Sequence, residues 1–485
     1  MLEQEKIRIE KLKKIKNLGI DPYPIKKIKI NSNIKKILKN KKKIFKKKSN
    51  LYISGRIFNI RNMGKSTFLD IKDYNDNKIQ LYYNIKNLSK KYLNNKYYIY
   101  LFQKYLDIGD IIWIKGNLFF TKVKELTILI KKIFLLSKCI YPIPNPKIKN
   151  NKIYYKFKNK EKRYRTRYMD ILVNYKNKKN FIIRSLIINN IRNFLNKFKY
   201  IEVDTPILQN IPGGANAKPF ITYHNKFKKK FFLRISNELY LKKLIVGGFK
   251  GVYEFSKNFR NESIDKFHNP EFTILEIYVP YKNLTWMIKF FKKLLKYICK
   301  KTFNKTKIKI NNINVDFEKK IKQKKFFNLI QKNTKMNINE NTSKKELIKI
   351  CNKFNIDIKK KKKEKIIENI FNTFCKKNLK KPIFVIDYPK YISPLAKSKK
   401  DNINLTDRFE FFINNIEIAN AYNELNDPFE QYKRFKKQKK NQIDKDFIKA
   451  LKIGLPPTVG IGIGIYRLIA LFTNNFNIKE VILFP

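Results

Sequence analysis

Between residues 51 and 130 the chain is divided into five short runs rich in β-branched and aromatic residues. They are Leu51-Tyr-Ile-Ser-Gly-Arg-Ile-Phe58, Thr67-Phe-Leu-Asp-Ile71, Lys78-Ile-Gln-Leu-Tyr-Tyr83, Asp110-Ile-Ile-Trp-Ile-Lys115 and Leu126-Thr-Ile-Leu-Ile130. Turn-like pieces, Asn62-Met-Gly-Lys65 and Asp73-Tyr-Asn-Asp-Asn77, separate them. Five strands packed into about 80 residues predict a small barrel. The proline-rich segment Tyr141-Pro-Ile-Pro-Asn-Pro146 then marks a linker, and the texture changes beyond it.

The remaining organisation follows. Residues 1–48 read as a basic helical extension, 49–140 as the barrel, 141–165 as the linker and 166–485 as a second, larger domain. Within the last, about 283–381 is lysine-rich and mostly helical by pattern, and its run 359–363 reads as solvated surface. A chain of 485 residues fits two or three domains. No uninterrupted apolar stretch of about 18 residues predicts a membrane span, and residues 1–16 lack the apolar run of a secretion signal.

Lys and Arg number 110 against 38 Asp and Glu, a net charge of +72. A polyanionic partner such as RNA is one reading. The other is codon usage: Lys, Asn, Ile, Phe and Tyr are all encoded by A- and T-rich codons and all are abundant. The charge alone therefore supports RNA binding only weakly. The five-stranded barrel adds to it, because the OB-fold has that form and commonly binds single-stranded nucleic acid. Four scattered cysteines and two histidines, with no CxxC pair, argue against a Cys/His zinc site and suit a reducing cytoplasm.

Three stretches of the larger domain carry chemistry. In 258–273 a strand, a polar loop and a second strand are expected, with Arg260 and Glu262 sharing a face of the first strand. On the second, Phe272, Ile274, Glu276 and Tyr278 alternate onto one face, an aromatic plate followed by a carboxylate and a phenol. A nucleotide beside a small cationic metabolite would suit such a face, and so would an ordinary charged strand pair at a surface. In 407–426, Glu410 and Glu417 could chelate Mg²⁺, and Asn420, Tyr422 and Glu424 share parity. Strict alternation puts Glu417 on the opposite face from Asn420, so either a bulge intervenes or the two serve different surfaces. In 454–467, Gly460, Gly462 and Gly464 leave one strand face bare. An apolar helix begins near Ile465 and carries Arg467 close to its N-terminus, where phosphate is favoured.

Taken together these stretches resemble motifs 2 and 3 of class II aminoacyl-tRNA synthetases, with motif 1 around 187–206. Within that class the sequence resembles the lysyl-tRNA synthetases. The matching segments are Ile211-Pro-Gly-Gly-Ala-Asn-Ala-Lys-Pro-Phe220, Asn237-Glu-Leu-Tyr-Leu-Lys-Lys-Leu244, Phe259-Arg-Asn-Glu262, His268-Asn-Pro-Glu-Phe-Thr273, Ser393-Pro-Leu-Ala-Lys397, Glu424-Leu-Asn-Asp427 and the glycine-rich end. They occur in family order over nearly the whole chain.

The resemblance implies an α+β protein: an N-terminal five-stranded OB-fold barrel plus a class II catalytic domain with an antiparallel sheet flanked by helices. It implies ATP, L-lysine and tRNA(Lys) as substrates, Mg²⁺ as cofactor and a homodimer in the cytoplasm. Arg260 would hold the substrate carboxylate and the α-phosphate, and Arg467 the γ-phosphate. Phe272 would stack on adenine, with Glu262, His268 and Asn269 nearby. Glu410 and Glu417 would bind the metal. Glu238 would take the α-amine and Glu424 with Tyr278 the ε-ammonium. Asn420 would help hold the carboxylate, and Gly214, Glu276 and Tyr422 would complete the pocket. In the barrel Phe68 and Gln80, assisted by Arg61, would read the anticodon. The helix expected at 180–198, with its stripe Ile183, Leu186, Ile187, Ile191 and Leu195, would lie at the two-fold interface.

Three positions depart from the family pattern: Phe267 replaces an arginine, with Lys266 beside it as a candidate substitute charge, Tyr466 replaces an aspartate and Tyr391 a glutamate. An aspartyl- or asparaginyl-type enzyme is disfavoured by the acidic pocket, and a lysyl-adenylate-forming paralogue by the barrel. An inactive or weakly active RNA-binding homologue is the alternative.

Overall fold

The computed structural model describes residues 2–485 except 26, 48, 65, 85–103, 145–146, 150–151, 155–156, 357–361 and 439–442. The end of the proline segment and residues 359–361 of the lysine run lie outside the described residues. The chain divides into two compact units, Met1–Tyr175 and Lys176–Pro485.

In the first unit the strands β1 (Leu51–Met63), β2 (Ser66–Lys72), β3 (Lys78–Asn84), β4 (Ile111–Phe120) and β5 (Leu126–Ser137) close a barrel in the order β1-β2-β3-β5-β4. The alternation is regular: Leu69, Ile71, Ile79 and Leu81 fill the interior, while Phe68, Gln80 and Tyr82 point to the other face. The strands are longer than the sequence runs, because tight turns let pairing continue through Met63 opposite Ser66. The basic extension is partly interior. Ile15 from the helix Glu3–Asn17 and Ile34 and Ile37 from Ile34–Lys39 join the barrel core, and Lys11 pairs with Asp107 at 2.6 Å.

The second unit is built on eight strands: β6 (Ile201–Glu202), β7 (Val252–Phe259), β8 (Glu271–Pro280), β9 (Lys322–Lys325), β10 (Ile383–Pro389), β11 (Leu405–Ile413), β12 (Ile416–Asn423) and β13 (Thr458–Gly464). Their order is β9-β10-β11-β12-β13-β8-β7-β6. The six central strands are antiparallel, and only the outermost pairs, β9 with β10 and β6 with β7, are parallel. One face is packed by apolar helices. Leu275, Ile277, Phe409, Phe411, Ala419, Ala421, Val459 and Ile461 meet the helices Leu284–Phe303 and Ile465–Phe472 there. The first helix of the lysine-rich stretch thus belongs to the main core: its lysines stay on the solvent side while Phe290, Phe291, Leu294 and Leu295 are buried. The helices Phe326–Thr334, Lys344–Lys353 and Lys363–Ile370 have a separate core with Val385, Tyr388 and Phe412.

The helix expected at 180–198 runs over Tyr175–Asn196, and its stripe divides. Ile187, Ile191 and Leu195 are buried in this subunit's own core, Ile183 packs against it, and Leu186 is exposed. The sheet is broad enough to absorb the stripe, so those three side chains do not face outward. Among the described residues no helix is long and apolar enough to cross a membrane.

Candidate active site and nucleic-acid face

The other face of the eight-stranded sheet is polar and concave, and alternation places its groups. On β8, Leu275, Ile277 and Val279 go to the core, so Ile274, Glu276 and Tyr278 go to the cavity side. The central β13 offers no side chain at Gly460 and Gly462, and both line the cavity. At Gly460 a Cβ would strike Glu424 Oε1 and come within 2.5 Å of Tyr278 Cε1, so only glycine lets those groups lie over the strand. Gly214 needs its lack of a Cβ for a different reason, a backbone φ of +81° against Ser236. The cavity is about 880 Å³, large enough for a nucleotide and an amino acid together.

A bulge decides the position of Glu417. Phe411 pairs with Ala419 but Phe412 pairs with Glu417, so Ile418 is the extra residue in β12. Ile418 and Ala419 are both buried on the core side, which returns Glu417 to the face of Asn420 and Tyr422.

At one end of the face lies an acidic pocket. Glu238 is buried; its Oε1 takes Tyr422 Oη at 2.7 Å and Lys242 Nζ at 2.5 Å. Glu424 is buried and also pairs with Lys242, while its Oε1 has no hydrogen-bond partner. Tyr278 donates to Glu276 Oε2 at 2.8 Å. Burial, then the Glu238 charge, pushes the Glu276 carboxyl up to about 8. Burial works against the charge on Lys242, but Glu238 and Glu424 outweigh it and the ammonium is stabilised.

At the other end the groups are cationic. Arg260 lies over the Phe272 ring at 5.1 Å, and its buried Nε has no partner. Burial pulls its guanidinium down from its usual value. Arg260 and Glu262 do not stand on the strand: β7 ends at Phe259, opposite Glu271. Arg260 N bonds to Pro270 O at the loop mouth, and the loop turns at Glu262, which is exposed. The two therefore share no sheet face. Arg467 donates to Glu417 O (3.1 Å), Phe267 O (3.3 Å) and His268 Nε2 (2.9 Å). His268 Nδ1 is held by Asp265 at 2.7 Å, and Asn269 caps Glu271 O at 2.8 Å.

Between the ends, Glu410 takes Arg408 at 2.6 Å and Tyr388 Oη at 2.8 Å. Burial, then the nearby Glu417 carboxylate, raises Glu410 to about 7. Arg408 also binds Asn420 Oδ1 at 3.0 Å. No cluster of three or more acidic, His or Cys ligands occurs among the described residues. Two carboxylates that repel each other on one face still fit Mg²⁺, which takes one or two carboxylates and completes its shell with phosphate oxygens and water.

The family departures have structural explanations. Phe267 packs against the core and offers only its carbonyl to Arg467, while Lys266 is exposed. Tyr466 is buried and takes Lys257 (2.9 Å) and Thr273 (3.1 Å) on its hydroxyl, tying the helix to β7 and β8. Tyr391 lines the cavity under Lys363, 4.8 Å from its ring.

Sequence reasoning missed Lys242, Arg408 and Tyr388. Lys242 follows Glu238 by four residues on one helix, a pair legible from spacing. Arg408 is two residues from Glu410 on a strand, which also gives a shared face. Tyr388 had no local signal.

On the barrel, Arg61 stands opposite Phe68, its guanidinium 5.9 Å from the ring. Phe68 meets Tyr82 at 4.8 Å and Tyr82 meets Phe119 at 5.6 Å, so the aromatic surface is wider than one ring. Gln80 is buried beside it, donating to Glu125 (2.9 Å) and accepting from Thr127 (2.7 Å).

Comparison with known proteins agrees with both units. The family described as tRNA synthetases class II (D, K and N) matches residues 159–485, and an OB-fold nucleic acid binding domain matches 51–136. The chain is 44% identical to a lysine–tRNA ligase of Azobacteroides pseudotrichonymphae genomovar. CFP2, over 100% of this chain and 98% of the relative. It is 45% identical to that of Wigglesworthia glossinidia brevipalpis, over 99% and 97%, and 42% to that of Porphyromonas gingivalis strain W83, over 100% and 85%. The similarity thus runs along the full chain, through both the barrel and the eight-stranded domain, and the protein belongs to the class II tRNA synthetases, in the lysine–tRNA ligase family.

Proposed function

We propose that the site condenses L-lysine with ATP to lysyl-adenylate and pyrophosphate, and then passes the lysyl group to the 3′-terminal ribose of tRNA(Lys). The observation that carries this reading is the buried, unpartnered Oε1 of Glu424 over the bare Gly460, beside the Tyr278–Glu276 pair. A carboxylate oxygen without a partner in a desolvated pocket is costly, and an ammonium supplies what it lacks. A side-chain carboxylate, as in aspartate, would be repelled by the Glu424 carboxylate, whose Oε1 needs a donor.

The chemistry needs no protein nucleophile. The lysine carboxylate attacks the α-phosphorus, an O–P bond forms, and the bond to the pyrophosphate oxygen breaks. Arg260 binds the carboxylate and the α-phosphate, and its free Nε gives it unused donor capacity. Arg467, oriented by His268 and by the carbonyls of Glu417 and Phe267, meets the γ-phosphate. Phe272 carries the adenine, with Asn269 holding the strand edge and Glu262 outside on the loop. Glu238 takes the α-amine, Glu424 and Tyr278 the ε-ammonium, and Asn420 the carboxylate, with Gly214, Glu276 and Tyr422 closing the pocket. Glu410 and Glu417 would hold Mg²⁺, which when bound neutralises charge on the triphosphate.

Phe68, Gln80 and Arg61 read the anticodon by stacking and hydrogen bonding. The enzyme works as a homodimer in the cytoplasm; exposed Ile182, Leu186, Ile201, Ile207 and Leu208 form the apolar material for a two-fold contact. The test is ATP–pyrophosphate exchange across the amino acids. Lysine alone should stimulate it strongly. Stimulation by aspartate or asparagine, with none by lysine, refutes the reading.

A further inference from the structure

Lys242 has no part in the chemistry described above, yet it is fully buried between two of the pocket's carboxylates. It projects from the helix Glu238–Val246, and its Nζ is 2.5 Å from Glu238 Oε1 and in ion contact with Glu424 Oε2. The rings of Tyr422 and Phe447 flank it at 5.7 and 5.8 Å. Glu238 and Glu424 come from different elements, a helix N-terminus and the end of β12, and this ammonium joins them.

The surrounding charges can be assigned one by one. Across from Lys242, β8 presents Glu276 and Tyr278, which bond to each other. Glu254 on β7 is taken by Arg234 at 2.8 Å. On the neighbouring helix Lys445–Gly454, Asp446 pairs with Lys243 at the surface and not with Lys242. Arg260 is held for the substrate carboxylate. The amino-acid pocket therefore contains three carboxylates, Glu238, Glu276 and Glu424, and one ammonium. That leaves two negative charges, and free lysine brings two ammonium groups.

We propose that Lys242 is a positioning residue for lysine activation: its ammonium ties Glu238 to Glu424, fixing the spacing between the acceptors at the two ends of the substrate, and sets the pocket's charge at the value that the two ammonium groups of lysine neutralise. This rests on the reading of the site as a lysine site. It has a consequence for protons. Two uncompensated charges in an empty, desolvated pocket favour retention of a proton, and burial raises both the Glu276 and the Glu424 carboxyls that can share it. Lysine expels that proton on binding. Without the Lys242 charge a second proton must be held in the empty pocket and expelled as well.

The test is calorimetric titration of lysine into the full chain near pH 7 in buffers of different ionisation enthalpy, which counts released protons. Wild-type protein should release about one proton per lysine, and Lys242→Met about two. In Lys242→Met the KM for lysine should rise about tenfold or more and fall more steeply with pH between about 6 and 8, with the KM for ATP unchanged. Lys242→Arg should return the count to about one. A folded Lys242→Met protein with unchanged proton count and lysine KM overturns the proposal. If that variant does not fold, the wild-type count decides: none or two protons overturns it. Lysine that is activated with the wrong proton count refutes Lys242 alone. Lysine that neither binds nor stimulates exchange refutes the substrate reading, and this proposal with it.

Discussion

Gly460→Ala places one methyl group where the pocket has no room. The added Cβ would lie 2.5 Å from Tyr278 Cε1, 2.9 Å from Cδ1, and against Glu424 Oε1. Carbon atoms rest about 3.5–4.0 Å apart, so the ring must retreat by about 1 Å or more. It is only 3% exposed, and its hydroxyl is fixed at 2.8 Å from Glu276. The ring cannot move that far and keep the bond, and Glu424 must move off the strand as well. Overpacking of this kind costs about 1–3 kcal/mol. Part of that is lost stability, and the part felt by the bound substrate should raise the lysine KM by roughly tenfold to a hundredfold. The KM for ATP should be nearly unchanged, because Phe272 and Arg260 lie further along the face. Gly462→Ala is the control: the tight contact of its Cβ is Ile274 Cδ1, at 3.2 Å, the mobile end of a side chain, while Glu276 Cγ lies at an ordinary van der Waals distance of 3.9 Å. Exchange kinetics on both variants, with melting temperatures to confirm folding, decide the matter. A folded Gly460→Ala enzyme with wild-type lysine KM would show that Tyr278 and Glu424 do not hold the amino acid.

Other outcomes follow from the same geometry. Glu424→Gln leaves Lys242 short of a counter-charge and the ε-ammonium short of a carboxylate, so lysine affinity should fall by about 2–4 kcal/mol; exchange kinetics at varied lysine measure it, and an unchanged KM places Glu424 outside the pocket. The Glu276 carboxyl is raised to about 8 in the folded protein, so its contribution to stability is present at low pH and lost as pH rises toward that value. Lysine should therefore raise the melting temperature more at pH 8 than at pH 6, and Glu276→Gln should flatten the difference; equal increments in the wild type contradict this. Phe68→Ala should raise the tRNA KM by about 1–3 kcal/mol and leave pyrophosphate exchange intact, with aminoacylation of anticodon variants as the check. Phe267→Arg adds a charged donor worth about 1.5–3 kcal/mol where only a carbonyl now meets Arg467, and should lower the ATP KM about tenfold once the lost packing is offset; no change would show that the loop does not reach the phosphates.

The sequence by itself determined whatever depends on neighbours a few residues away. The five β-rich runs and their turns specified the barrel, and period-two alternation placed Glu276 with Tyr278 on one face of β8, because successive side chains of a strand must point opposite ways. Glycine spacing at 460, 462 and 464 exposed the bare face for the same reason. The tertiary structure decided what depends on partners far along the chain. The bulge at Ile418 turned Glu417 to the face of Asn420, since Phe412 pairs two residues beyond the Phe411 partner. The loop after Phe259 took Arg260 and Glu262 off the strand, because pairing with β8 ended there. The apolar stripe of Tyr175–Asn196 could have covered a second subunit or its own sheet, and the burial of Ile187, Ile191 and Leu195 depends on the helices and strands packed beside them. Likewise Lys242 and Glu238 are an adjacent-turn pair in sequence, but Glu424, 182 positions beyond Lys242, becomes the second carboxylate on that ammonium only when β12 ends against that helix. Periodicity fixes the direction in which a side chain points, and only the closed core fixes what it meets there.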